Sequence, residues 1–255
     1  MILNDFANKP KGLNEREACG FPAFCLGGKM EYVISDTHFF HEQLLGVDKF
    51  APRPYQSVDE MDQVMIDSWN TRVNDSDTVY HLGDIAVNYQ NHRPEREVNQ
   101  QIAALLDQLK GHLVLIKDNH DRRSLFKYLA THNFNLGKQM KYEFHDVGKL
   151  IKYDHHQLYL THYPMMLGNA PQIINLHGHI HHYMVPTTTN INVGVDAPEL
   201  DYLDPRPSFG TPLSFSKVMK MMAKKVAVVK QSGDVVWWKN SERKWPRWIG
   251  HEFRN

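Results

Sequence analysis

The stretch Tyr32-Val33-Ile34-Ser35-Asp36-Thr37-His38 decides the fold. Its first four residues read as a short buried strand, which ends on an aspartate and a histidine two positions apart. The same form recurs downstream. Thr78-Val-Tyr-His-Leu82 ends at Gly83-Asp84, and Leu113-Val-Leu-Ile116 leads to Asn119-His120-Asp121. The 157–161 segment runs into His162, and Ile173-Ile-Asn-Leu176 precedes Gly178-His179-Ile180-His181. In an α/β sheet the C-terminal ends of strands converge on one crevice, so side chains this far apart in sequence can meet there.

Between these strands the periodicity turns helical. Ser57-Val-Asp-Glu60 has the form of a capping box, and Met61, Val64, Met65, Trp69 and Val73 follow at helical spacing. Val98, Ile102, Leu105, Leu106 and Leu109 form a second stripe over residues 95–110, closed by Gly111 as its C-cap. Leu125, Phe126 and Leu129 mark a short third helix. Further β-rich segments cover 141–146, 149–154 and 157–161, with Gly148 and His155-His156 at turns, and Ile191–Val195 adds another strand. Alternation β-α-β-α-β followed by a run of strands predicts an α/β fold, a two-layer mixed β-sandwich flanked by helices. Residues 1–29 read as an irregular extension and 30–223 as the main domain. Residues 224–255 read as a hairpin through Gln231-Ser-Gly-Asp234 and a Trp-rich tail.

Bulk composition narrows the class. With 255 residues, 42% hydrophobic and 23% charged, the chain is long enough for a large core and is not compositionally disordered. A formal net charge of zero argues against a protein whose main task is coating nucleic acid. The only two cysteines, Cys19 and Cys25, read as reduced thiols far from the histidine clusters. The start lacks a charged-then-apolar leader and no apolar run reaches membrane-span length, so the expected location is the cytoplasm, with no membrane partner.

The five clusters carry metal chemistry. Asp36 and His38, two apart at a strand end, share one direction and suit one ion. Asp84 can bridge, because each carboxylate oxygen can take one ion. Asn119, His162 and His179 complete a second ion, and His181 reaches back to the first. This donor set suits a pair of borderline-hard divalent ions, manganese first, with iron, zinc or nickel as alternatives. Such a pair attracts phosphate and activates a bridging water. His120 is the non-ligand that can protonate a departing oxygen, with Asp121 orienting its ring. His41 and Arg53 are candidates for lining the substrate pocket.

Taken in order, Asp-x-His, Gly-Asp, Asn-His-Asp, a lone His after a strand, and Gly-His-x-His resemble the calcineurin-like metallophosphoesterases over roughly residues 31–196. The contexts Ile34–His41, Asp77–Asp84 and Asn192-Val-Gly-Val-Asp196 resemble its small bacterial and viral branch. The resemblance implies an α-β-β-α sandwich with a dinuclear centre. It puts Asp36, His38, Asp84 and His181 at one ion, and Asp84, Asn119, His162 and His179 at the other. His120 matches the general acid. Two departures stand out. Asp118 occupies the place that is usually glycine, which adds a carboxylate near the second ion in a turn where aspartate tolerates left-handed backbone. Gly83-Asp84 is followed by Ile-Ala-Val rather than the Asp-Arg-Gly of protein Ser/Thr phosphatases, so the bidentate phosphate clamp of that branch is missing.

The expected function is hydrolysis of a phosphodiester or phosphomonoester, with a phosphorylated small molecule or nucleotide as substrate. A different class is a nuclease in which Trp237, Trp238, Trp245 and Trp248, interleaved with basic residues, grip a nucleic-acid strand. The plainer reading of that tail is a hairpin covering the core or an interface with a second copy. A third class is a scaffold that keeps the fold without catalysis.

Overall fold

The chain runs β1 (Glu31–Ile34), α1 (Val58–Arg72), β2 (Thr78–His81), α2 (Glu95–Leu106), β3 (His112–Ile116) and α3 (Arg123–Thr131). A small hairpin, β4 (Asn135–Leu136) and β5 (Gln139–Met140), leads to β6 (Tyr142–His145), β7 (Gly148–Tyr153) and β8 (His156–Thr161). Then come β9 (Ile173–His177), β10 (Asn190–Asn192), β11 (Leu213–Ser214) and α4 (Phe215–Ser232). This is a computed structural model, and it describes residues 28–46, 51–87, 93–118, 121–168 and 170–232. Cys19, Cys25, Asn119, His120 and the Trp-rich tail from residue 233 onward lie outside the described residues.

The architecture is mixed α/β. A five-stranded sheet has the order β11-β1-β2-β3-β6, and a four-stranded sheet has the order β10-β9-β8-β7. In the first, β1, β2, β3 and β6 are parallel and β11 alone runs antiparallel. In the second, β10, β9 and β8 are parallel and β7 antiparallel. The parallel registers fix the outcome for the motifs. Ile34 pairs with His81, which pairs with Leu115, so the loops leaving β1, β2 and β3 emerge at one edge.

Two apolar layers hold these sheets. One face of the first sheet (Tyr32, Ile34, Val79, Leu113, Leu115) packs under Met61, Met65 and Trp69 of α1, Ile102 and Leu106 of α2, and Leu129 of α3. Its other face (Val33, Leu82, Val114, Ile116) meets Leu158, Leu160, Ile174, Leu176 and Ile191 of the second sheet. Phe215, Val218 and Met221 of α4 join that inter-sheet layer. Continuous burial of β2 and β3 on both faces explains their unbroken strand-forming sequences.

Local signals behave mostly as their chemistry dictates. The Ser57 hydroxyl accepts the Glu60 N–H at 3.1 Å, while the Glu60 carboxylate accepts the Gln56 N–H at 2.8 Å, one residue before the usual capping-box partner. Some readings need correcting. Helix α2 stops at Leu106, five residues short of Gly111, because the 107–111 turn is needed to enter β3. Gly148 opens β7 opposite Thr161 rather than sitting in a turn, and a Cβ there would lie 2.6 Å from the Leu160 carbonyl oxygen. Helix α4 continues through Gln231 and Ser232, where a hairpin turn was expected, so a boundary at residue 223 falls inside a helix. Lys225 ties the helix down just past that boundary. Its ammonium is fully buried, donating to Glu199 at 2.9 Å and to the Asn190 carbonyl at 2.8 Å. None of the described helices is long and apolar enough to cross a membrane.

Candidate metal centre

The motif loops meet at the edge where the parallel strands end. Donor atoms of Asp36, His38, Asp84 and His181 lie within 4.8 Å of one another, and so do those of Asp84, His162 and His179. These are the two sets read from the sequence, short of Asn119, with Asp84 common to both. His38 Nε2 is 3.1 Å from Asp84 Oδ2, and His162 Nε2 is 3.6 Å from the same oxygen. His162 Nε2 lies 3.1 Å from His179 Nδ1, and the His38 and His181 rings stack with centroids 5.0 Å apart.

Backbone conformation at the centre is unusual. Asp36, His38, Asp84, His179 and His181 all have positive φ, between 46° and 72°. Left-handed backbone is uncommon for residues with a Cβ, and its concentration on five candidate ligands points to a functional constraint. Space is equally restricted. A Cβ on Gly178 would lie 2.3 Å from Asp36 Oδ2, and one on Gly194 would lie 2.5 Å from the same oxygen. Both positions need glycine because the Asp36 carboxylate, joined at Gly178 by the Ser35 hydroxyl, fills the room a side chain would take. That carboxylate accepts the His179 N–H at 2.9 Å, joining the first and last motifs.

Surrounding contacts aim two of the imidazoles. The Leu82 carbonyl takes the Nδ1 proton of His162 at 2.9 Å, which leaves Nε2 as the lone-pair nitrogen. His181 Nδ1 lies 3.0 Å from Asp196 Oδ2. Burial works against charge on Asp196, but Arg53 and His181 outweigh it and hold this carboxyl below its ordinary value. Below the centre, Thr37 gives its hydroxyl proton to the Ile85 carbonyl at 2.7 Å, so His81 Nε2 donates to Thr37 Oγ1 at 2.9 Å.

Carboxylates are crowded here. Burial, then Asp118, Asp36 and Asp121, push Asp84 up to about 11. Burial and Asp118 likewise raise Asp121 well above its usual range. Burial, then His162, lower His179. Asp84 Oδ1 and Asp121 Oδ2 are buried with no hydrogen-bond partner among the described residues. Buried carboxylates of this kind are costly unless compensated, and divalent cations beside neutral imidazoles are the natural compensation. The residues present therefore fit a pair of ions.

Not every candidate stands where its sequence role would put it. Arg53 is fully buried, and its nitrogens donate to the Asp36 and Thr37 carbonyls at 2.7 Å each and to Asp196 at 2.8 Å. It anchors the β1 loop from behind and is not open to a phosphate. His41 is half-buried beside the centre, with its Nδ1 3.2 Å from His38 Nδ1. The Asp121 carboxylate accepts the Ile85 N–H at 3.2 Å, tying its loop to the Gly83-Asp84 loop. Asp118 does not use left-handed backbone, and its two oxygens accept the N–H groups of Asp84 and Asp121. Sequence reasoning gave no role to Asp196 or Asn192. Asn192 donates to the His181 carbonyl at 2.7 Å and accepts the Gly194 N–H at 2.9 Å. The signal available was their place in Asn192-Val-Gly-Val-Asp196, at the end of a strand and just beyond it.

No protein-family model matches the chain. The uncharacterized protein MJ1445 of Methanocaldococcus jannaschii is 32% identical over 144 residues, which span 53% of this chain and 74% of that protein. The crystal structure of AQ665, a protein of unknown function from Aquifex aeolicus, matches 76% of this chain and 100% of its own with 21% identity and a TM-score of 0.47.

Proposed function

The chain belongs to the family of the Methanocaldococcus jannaschii protein MJ1445, and we propose that it is a dinuclear-metal phosphoesterase of the calcineurin-like kind. The proposed substrate is a phosphodiester or phosphomonoester of nucleotide type. One observation carries the reading: six described candidate ligands, from four strand ends, form two donor sets that share Asp84. Two facing sheets with α1–α3 on one side are consistent with the α-β-β-α sandwich such enzymes use.

Two divalent ions bound by these sets would neutralise charge on a phosphoryl group and activate a water. The protein's part is to hold the donors. Asp36 and Asp84 supply carboxylates, and Leu82 and Asp196 fix the tautomers of His162 and His181. Asn119 adds an amide oxygen to the second set. His120 protonates the leaving oxygen, and Asp121 beside it holds the loop against Ile85.

Hydrolysis of bis-p-nitrophenyl and p-nitrophenyl phosphate tests this directly. Turnover with manganese, loss on chelation and recovery on re-addition are expected. His120→Ala is expected to keep its metal and lose rate, most severely with poor leaving groups. Absence of turnover with every divalent ion tried would overturn the proposal.

A further inference from the structure

Tyr163-Pro-Met-Met-Leu167 follows the candidate ligand His162 directly and carries five apolar side chains in a row. Three of them face solvent: Tyr163 is 46% exposed, Met165 38% and Met166 77%. Single exposed apolar residues are ordinary, but a consecutive set beside a candidate centre marks a contact surface. The Tyr163 ring reaches the second donor set itself. Its centroid lies 5.0 Å from that of His162 and 4.5 Å from that of His179, steeply inclined to both. The backbone beneath these side chains is pinned by three adjacent strands. Thr161 at the end of β8 donates to the Tyr163 carbonyl at 2.7 Å, and Asn175 of β9 accepts the Met165 N–H at 2.7 Å. Asn190 of β10 donates to the Met165 carbonyl at 2.9 Å. Asn175 also donates to Thr161 at 2.8 Å and accepts from Asn190 at 3.1 Å. All three side chains are buried, where polar groups are costly unless hydrogen-bonded. The loop therefore presents apolar side chains from a fixed backbone, which reduces the entropy lost when a ligand settles on them.

We infer that this loop is the subsite for the flat aromatic part of the phosphoester, a nucleobase, and that it takes the different bases nearly alike. The inference rests on the phosphoesterase reading above. A phosphoryl group at the second donor set would have its substituent beside Tyr163, which packs on His162 and His179. Tyrosine stacks on the π-face that every base offers, and methionine thioethers make favourable contacts with aromatic rings. A bare sugar would need hydrogen-bonding groups, and residues 163–168 bring a single side-chain hydroxyl, that of Tyr163. Telling one base from another needs polar contacts to base edges, so stacking alone discriminates weakly.

Calorimetry on the manganese-loaded chain compares the four ribonucleoside 5′-monophosphates with ribose 5-phosphate, which carries the same sugar and phosphate without a base. Each nucleotide is expected to bind about tenfold more tightly than ribose 5-phosphate, and the four to agree within about threefold. Tyr163→Ala is expected to shrink the advantage to about twofold, Met166→Ala to reduce it in part, and Tyr163→Phe to keep it. Should Tyr163→Ala fail to fold, Met166→Ala at the most exposed position decides. An advantage missing in wild type, or unchanged in both alanine variants, would overturn the inference. A dimer broken by Met166→Ala, with no base advantage, would overturn it too and assign the loop to a second copy of the chain. If wild type in either case still hydrolyses p-nitrophenyl phosphate, the phosphoesterase reading stands. Wild type that neither binds these phosphates nor turns over would overturn both.

Discussion

Arg53 and Asp196 face each other at 2.8 Å behind the candidate metal centre, and Asp196 in turn lies 3.0 Å from His181 Nδ1. A residue from the loop before α1 thus orients a candidate ligand that follows β9. Arg53→Lys keeps the charge but loses the planar fork that also holds the Asp36 and Thr37 carbonyls. It is expected to destabilise the fold by about 3 kcal/mol and to loosen the first ion. Thermal unfolding and metal titration check this. A weakened KM with unchanged metal affinity would instead return Arg53 to a substrate-contacting role.

Gly194→Ala places a methyl group 2.5 Å from Asp36 Oδ2, in a site where that carboxylate also accepts the His179 N–H. Asp36 has to move. The variant is expected to fold with a lowered Tm and to lose the first ion preferentially, as read by metal content after dialysis.

His81 gives the fold an acid limit. Burial lowers its pKa to about 3, and its ring stacks against Trp69 with Nδ1 lacking a partner among the described residues. An unfolded histidine titrates near 6.5, so between about pH 6.5 and 3 the unfolded chain binds a proton that the folded chain refuses. Stability contributed by this group is present above that window and falls as pH drops through it, by about 2 kcal/mol between pH 7 and 5. Denaturant titrations of wild type and His81→Gln at those two pH values check the slope, which should flatten in the variant.

Lys225 and Glu199 form a fully buried pair at 2.9 Å, joining α4 to the turn after β10. Lys225→Met strands the Glu199 charge and is expected to cost about 3–5 kcal/mol, whereas Lys225→Met with Glu199→Leu should recover most of it. Chemical denaturation of the three variants tests this. Near-wild-type stability in Lys225→Met would detach the end of α4 from the core.

The strands that carry the motifs were legible because β1, β2, β3, β8 and β9 are short segments rich in strand-forming residues that run into Asp, Asn or His at or shortly after their ends. Two-residue strands such as β4, β5 and β11 have no room for a periodic signal. The continuation of α4 past residue 223 is not written in local pattern, because Lys225 is buried only through a partner distant in sequence. Within the candidate site, the Asp and His residues that come together were readable by type and order. The glycines that make room for Asp36, the Arg53–Asp196–His181 relay and the Asp118 contacts depend on tertiary packing that no local pattern encodes.

The central claim is that six described side chains, together with the proposed ligand Asn119, hold two cations sharing Asp84. Native mass spectrometry of the full chain loaded with manganese counts those ions directly. Two per chain are expected, falling to one or none in Asp84→Ala. A wild-type chain that carries no manganese under any loading condition would contradict the claim outright.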